Sequence, residues 1–401
     1  MILAHKIALN PNDVQETYFR KAAGTARFAY NWGLAEWQRQ YAAWEADSTQ
    51  PKPSQAALRR QLNAIKREQF PWMLEVTKNA PQMAIIHLGE AFKNFFAGNA
   101  EYPTFKKKGR HDSFTLTNDQ FAVKGRRVHV PHVGWVRMHE ALRFEGRVVE
   151  GTISRTADRW FLSVTVEMPD PPAIRLENQK VGGVDLGISA LATLSTGEKI
   201  TASKAYATAQ KPFRRLSQQF SRQMDAAKVR AGLEPGEPIP KGMPIPQSKN
   251  MRKTQRRMAR LHAQIANIRA NALHQLTTDL VQRFDVIAIE DLNVAGMLKN
   301  HPLARAIADM GFGEFRRQLT YKAAQRGKTV VVVSRWYPSS KTCSACGHKM
   351  PTIPLSVREW TCLECHTHHD RDVNAAINLR QVADRRSHRV SSMDGCPSVS
   401  A

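Results

Sequence analysis

Apolar residues recur at helical spacing over the first hundred positions, then switch to strict alternation. Behind the turn and cap signals Asn10, Pro11 and Asp13, a face of Val14, Phe19, Ala22 or Ala23, Ala26, Tyr30 and Leu34 predicts a helix reaching Trp44. Leu58, Leu62 and Ile65 predict a second over Gln55–Glu68, stopped before Pro71. Ile85, Leu88, Phe92 and Phe95 or Phe96 predict a third after Pro81, so the block 10–98 reads as helical. From Tyr102 the period changes. Phe114–Leu116, Val128–Val130, Trp135–Met138, Val148–Ser154 and Trp160–Glu167 alternate between Gly, Asp and Pro signals, which predicts an all-β module in the form of a small barrel.

Pro169–Pro172 ends this module and opens a linker. Val181–Leu186 predicts a strand, and Ala190–Leu194 with Glu198–Thr201 a hairpin. Residues 204–275 read as a basic helical stretch broken by Pro235, Pro238, Pro240, Pro244 and Pro246. Its second half carries an apolar stripe of Met258, Leu261, Ile265, Ile268, Ala272, Leu276 and Leu280, which crowds the arginines onto other faces. Val286–Glu290 and Thr329–Ser334 are expected strands, Gly313–Arg326 and Asn374–Arg380 expected helices, and the polar tail after Asp384 is expected to be disordered.

Composition narrows the classes of function. A hydrophobic content of 42% over 401 residues excludes wholesale disorder and suggests two or three domains. Apolar runs are only strand-length, which excludes a membrane span, and Met1–Asn10 is too short and polar for a secretory signal. A cytoplasmic, nucleoid-associated protein is expected. With 59 Lys and Arg against 35 Asp and Glu, a net charge of +24 calls for a polyanionic partner. No amphipathic terminal helix or lipidation signal points to a membrane, so nucleic acid leads. Phe105-Lys106-Lys107-Lys108-Gly109-Arg110 is expected to touch phosphate, and Arg252, Arg256 and Arg257 belong to a helix face suited to lie along a phosphate backbone.

Four of the five cysteines form two close pairs, Cys343-Ser344-Ala345-Cys346 and Cys362-Leu363-Glu364-Cys365, and Cys396 stands apart in the tail. Two such knuckles at zinc-ribbon separation can close a tetrahedral thiolate site around one structural Zn²⁺. His348, His366, His368 and His369 lie close enough to substitute, although the cysteine set is complete without them.

Three carboxylates stand at strand edges or at a helix start. Asp185 lies in Val184-Asp185-Leu186-Gly187-Ile188, Glu290 ends Val286-Ile287-Ala288-Ile289-Glu290, and Asp372 lies in Asp370-Arg371-Asp372-Val373-Asn374. Taken singly, each acid is more often a helix cap or an ion-pair partner. Converging, they would repel one another, and divalent cations would relieve the repulsion. That is the design of a two-metal phosphodiesterase, with ions about 3.5–4 Å apart. Spacing alone does not show that the three meet. Glu290 and Asp291 fall on opposite sides of a strand, so one of them at most joins the set.

In this order, Val184-Asp185-Leu186-Gly187, Ile289-Glu290-Asp291-Leu292, Tyr337-Pro338-Ser339-Ser340 before the knuckles, and Asp370-Arg371-Asp372-Val373-Asn374-Ala375-Ala376-Ile377-Asn378 resemble TnpB. TnpB is the transposon-encoded RNA-guided nuclease related to type V CRISPR effectors. Ala91-Phe92-Lys93-Asn94-Phe95-Phe96 and Val130-Pro131-His132-Val133-Gly134-Trp135 extend the resemblance over nearly the whole chain; Gly232–Pro246 is its least typical part. The resemblance implies an α/β chain with all-β and all-α parts. A wedge-like β-barrel (1–9 and 99–172) would hold an inserted helical recognition lobe (10–98). An RNase H-like RuvC domain (173–384) would hold a zinc ribbon (340–368), ahead of a disordered tail (385–401). It places the catalytic acids at Asp185, Glu290 and, of the Asp370/Asp372 pair, the second, with two Mg²⁺.

The function expected is an RNA-guided DNA endonuclease, monomeric with its RNA. A guide RNA from the transposon end would pair with one strand of double-stranded DNA, while the protein reads a short flanking motif. Lys78 and Gln82, an i, i+4 pair at a helix start, and Thr117-Asn118 at a strand edge are the candidate readers. Two rivals remain: a nuclease-dead RNA-guided repressor, which has no reason to keep three costly acids, and a DNA transposase, which also uses an RNase H-like acidic triad. Against the transposase, the Cys-rich insertion between the second and third acids and the β-module ahead of the first favour the nuclease.

Overall fold

The computed structural model describes residues 1–170, 179–354 and 356–393, with side chains to Arg385, and divides into two compact units, the second starting at Asp170. In the first unit, β1 (Ile2–Asn10) leads into α1 (Asp13–Ala46). A capping box starts the helix: Gln15 N donates to Asn12 Oδ1 at 2.9 Å and Asn12 N to Gln15 Oε1 at 3.1 Å. The Gln15 side chain also turns inward, donating to the carbonyls of Val133 and Trp135. That rotates Val14 outward, and it is 73% exposed instead of joining the apolar face. Phe19, Ala22, Ala23, Ala26, Tyr30 and Leu34 are buried as the periodicity predicts.

α2 (Gln55–Gln69) buries Leu58 and Leu62, and α3 (Asn79–Phe96) buries Ile85, Leu88 and Phe92. Phe95 is half-buried while Phe96 is exposed. Then come β2 (Ser113–Thr117), β3 (Ala122–Lys124), β4 (Arg127–Val130), β5 (Gly134–Met138), β6 (Arg147–Thr156) and β7 (Arg159–Glu167). With β1 they form one antiparallel sheet ordered β2-β6-β7-β1-β5-β4-β3. β1 joins its halves, pairing with β7 along Ile2–Ala8 and with β5 at Leu9 and Asn10.

The expected barrel is not closed: among the described residues no pairing joins β2 to β3. β3 is three residues long, and β2 packs against α1 and α3. Asn79 Nδ2 donates to Thr117 Oγ1 at 2.5 Å, so helices protect the edge that a closing strand would otherwise satisfy.

The second unit contains β8 (Val181–Asp185), β9 (Ala192–Leu194), β10 (Lys199–Ile200), α4 (Ala205–Arg230), α5 (Lys249–Arg283) and β11 (Val286–Glu290). α6 (Val294–Met297), α7 (His301–Met310), α8 (Phe312–Ala324), β12 (Thr329–Val333), β13 (Glu359–Thr361), β14 (His368–Asp370) and α9 (Arg371–Met393) follow. The sheet order is β10-β9-β8-β11-β12, with β8, β11 and β12 parallel and β9 reversed. β13 and β14 form a separate antiparallel pair. α6 and α7 have no counterpart in the sequence pattern, and α9 runs well past Asp384. Pro171 and Pro172 of the expected linker, and the tail from 394 with Cys396, lie outside the described residues. Among the described residues no helix is long and apolar enough to cross a membrane.

Two glycines fix how this sheet is covered. A Cβ on Gly182 would meet the Phe284 ring at 2.6 Å, and one on Gly183 would sit 1.9 Å from the Ala376 carbonyl oxygen in α9. Ile287, Ile289 and Val184 therefore pack into the core with α5 and α8, whereas Val286, Ala288 and Val333 pack with Leu379 and Ala383 of α9. Residues alternate along a strand, so Asp185 and Glu290 extend the α9 face. On α5 the buried line shifts to Ile265, Leu273, Leu276 and Leu280, leaving Ile268 42% exposed. The helix packs against α4 over one part and α8 over another, which no single straight stripe serves.

Gly183→Ala should force α9 away from β8 and destabilise the protein by about 1–3 kcal/mol or more, read as a lower urea midpoint. An unchanged midpoint would contradict this packing.

Candidate functional site

β8 and β11 run side by side, Ile289 opposite Val184, so Asp185 and Glu290 end neighbouring strands on one face. α9 crosses that face and starts at the same edge. Asp185, Glu290 and Asp372 consequently line one open cleft, with Tyr337, Ser339, Lys341, Lys349, Arg358 and Arg371 around them. Burial, then the charges of Asp372 and Glu290, push the Asp185 carboxyl up to about 8. Burial also raises Glu290, helped by Asp291. Asp372 Oδ1 lies 3.6 Å from Arg358 Nη1.

The neighbouring acids are engaged elsewhere. Asp370 Oδ1 accepts from the backbone N–H groups of Asp372 (3.1 Å) and Val373 (3.0 Å), capping α9, and its Oδ2 lies 2.6 Å from Lys199 Nζ. Against the upward push of burial, Lys199 and these N–H groups hold its carboxyl below the usual range. Asp291 is clamped by Arg335 and by Arg316. Of each adjacent pair, then, Glu290 and Asp372 face the cleft. The loop after β12 brings Trp336 to the same cleft, 87% exposed.

Cys343, Cys346, Cys362 and Cys365 converge, their sulfurs all within 4.8 Å of one another. Cys343–Cys365 and Cys346–Cys362 Sγ separations are 3.5 and 3.6 Å. Four thiolates about 2.3 Å from a tetrahedral Zn²⁺ would sit about 3.8 Å apart, so the set fits that ion. The spacing of the knuckles foretold this cluster. It did not foretell that buried His369 places Nε2 3.0 Å from Cys343 Sγ, as a neighbour of the ligand set, with its ring 4.8 Å from that of Trp360.

Lys78 and Gln82 at the start of α3 and Thr117 with Asn118 at the end of β2 fall side by side, as the Asn79–Thr117 bond requires. Lys78 Nζ lies 3.9 Å from Asp119 Oδ2. Arg252, Arg256 and Arg257 are exposed on α5, and Arg257 shares a groove with Lys211, Arg214 and Arg215 of α4. In the 105–110 loop, Lys106 lies over the Tyr30 ring at 3.9 Å, so part of that charge serves packing.

Family models match three segments: "Cas12f1-like, TNB domain" over residues 312–379, "Helix-turn-helix domain" over 1–45 and "Probable transposase" over 243–301. The 1–45 segment is here a strand followed by one long helix. A Streptomyces pristinaespiralis protein provisionally named an RNA-guided DNA endonuclease is 36% identical over 94% of this chain and 88% of its own length. Its Escherichia coli K12 counterpart InsQ, likewise provisionally named, is 31% identical over 94% of this chain and 91% of its own. A Cas12f1 chain, solved with sgRNA and target DNA, shares the fold at TM-score 0.53 and 14% identity, covering 91% of this chain and 83% of that one. These relationships define a chain of the RNA-guided endonuclease type, with a mixed α/β fold and a zinc-ribbon-like cysteine cluster. The protein belongs to the TnpB family.

Metal analysis of the purified protein should find one zinc per chain, and serine at any of the four cysteines should lower zinc content and thermal stability together. Such a site contributes on the order of 10 kcal/mol. Folded, stable protein devoid of zinc would contradict the assignment.

Proposed function

We propose that this protein is an RNA-guided DNA endonuclease that cuts in the cleft of Asp185, Glu290 and Asp372, on an RNase H-like RuvC domain. The observation that carries this reading is the convergence of three acids from β8, β11 and α9 on one cleft, while Asp291 and Asp370 are tied up in ion pairs beside it. Asp185, Glu290 and Asp372 would hold two Mg²⁺, which supply an activated water and stabilise the leaving 3′ oxygen. Burial and crowding raise the Asp185 carboxyl to about 8, and a divalent cation would offset the charge that disfavours its ionisation. Lys341, Lys349, Arg358 and Arg371 draw the phosphate backbone to the cleft, and Trp336 offers a flat face for an unpaired base.

The partners are a guide RNA from the transposon end and double-stranded target DNA, bound by one copy of the protein. The basic faces of α4 and α5, with Arg252, Arg256 and Arg257, hold the backbone of guide or heteroduplex. Lys78, Gln82, Thr117 and Asn118 read the flanking motif. Base pairing supplies the rest of the specificity.

Asp185→Ala, Glu290→Ala and Asp372→Ala should bind guide-matched DNA normally and cut it about 10²–10⁴-fold more slowly, a loss of several kcal/mol at about 1.4 kcal/mol per decade. Asp370→Ala should still cut, with reduced stability from the missing helix cap. A triad variant that cuts at the wild-type rate would remove that acid from the centre. Charge reversal at Arg252, Arg256 and Arg257 should weaken RNA binding regardless of RNA sequence. The log–log salt dependence should flatten by about 0.7–0.9 for each phosphate no longer neutralised. Affinity insensitive to salt would contradict a backbone role.

A further inference from the structure

α9 carries three amides on one face, and all three grip the backbone of the first cysteine knuckle. Asn374 Nδ2 donates to Thr342 O at 2.8 Å and Ser339 O at 3.3 Å, while its Oδ1 accepts from Ser344 N at 2.9 Å. One turn on, Asn378 Nδ2 donates to Ser339 O and Thr342 O, both at 2.7 Å. Gln381 Nε2 donates to Ser344 O at 2.9 Å. Asn374 and Asn378 are each 1% exposed. The knuckle carbonyls they satisfy flank Cys343, a member of the zinc-binding set. The helix they belong to begins with Asp372. β14 makes a second link, since His369 touches Cys343 Sγ and the next residue, Asp370, caps α9.

Buried amides held by several hydrogen bonds are costly to disturb, and they allow little sliding between the parts they join. A helix free to slide by an ångström would carry the Asp372 carboxylate out of register with Asp185 and Glu290, whose positions the sheet fixes. We propose that Asn374, Asn378 and Gln381 are positioning residues that lock the first turns of α9 to the zinc knuckle, so that the knuckle sets where Asp372 meets Mg²⁺. This deepens the nuclease reading and rests on it. The zinc cluster thereby acts on the cutting step as well as on stability, although it offers no open coordination position.

The test uses full-length protein with its guide RNA, comparing wild type with Asn374→Ala, Asn378→Ala and Gln381→Ala. Each variant is assayed for guide-matched DNA binding, zinc content, single-turnover cutting and the Mg²⁺ concentration for half-maximal cutting. The Asn variants are expected to keep one zinc and bind DNA within about twofold. They should cut about 10–100-fold more slowly and need more Mg²⁺, as a misplacement of about an ångström at a reacting centre entails. High Mg²⁺ should restore much of the rate. Gln381→Ala removes one hydrogen bond and should shift the same quantities less; it remains readable if an Asn variant fails to fold. Wild-type cutting with an unchanged Mg²⁺ requirement in a folded, zinc-loaded variant would overturn the proposal. So would slower cutting with an unaltered Mg²⁺ requirement, since that marks a merely structural role. Failure of wild type itself to cut guide-matched DNA would overturn the nuclease reading instead.

Discussion

The second unit depends on a backbone-to-backbone approach: α9 lies on β8 at Gly183, where a Cβ would come within 1.9 Å of the Ala376 oxygen. With no side chain between helix and strand, the start of α9 reaches the edge where β8 and β11 end. A helix held off by an ordinary side chain at this position would stand farther out, carrying Asp372 away from Asp185. The same approach sets which face of β11 is covered by α9, and through alternation it decides that Glu290 and Asp185 share that face.

That arrangement works against stability. The folded state raises the Asp185 carboxyl from 3.8 to about 8, so it binds the proton more tightly than the unfolded chain does. The stabilisation this gives is complete below the unfolded value and is lost as pH rises from about 4 through about 8. At neutral pH the carboxyl therefore opposes folding. The neighbouring pairs Asp370–Lys199 and Asp291–Arg316 show the opposite solution beside the same cleft: carboxylates satisfied by cationic side chains.

Much of this was legible in the sequence because it follows from spacing and period. The two knuckles announced the thiolate cluster, the strand ends announced Asp185 and Glu290, and alternation separated Glu290 from Asp291. What stayed hidden depends on three dimensions. Closure of a barrel is a property of edges, and nothing local to Ser113–Thr117 reveals that α3 covers that strand. Val14 fits the apolar period, yet the inward turn of Gln15 expels it. Ile268 fits a straight stripe, but α5 serves two partners along its length. Asn374 and Asn378 stood in a recognisable motif; that their amides hold a carbonyl 35 and 39 residues upstream could be read only from the packed chain.

The most direct measurement of the central claim is Mn²⁺ electron paramagnetic resonance on the protein bound to guide RNA and uncut target DNA. Three acids gathered at one edge should hold two spin-coupled Mn²⁺ ions about 3.5–4 Å apart. Coupling should vanish in Asp372→Ala and persist in Asp370→Ala. Uncoupled ions in the wild-type complex, or coupling untouched by Asp372→Ala, would contradict the account.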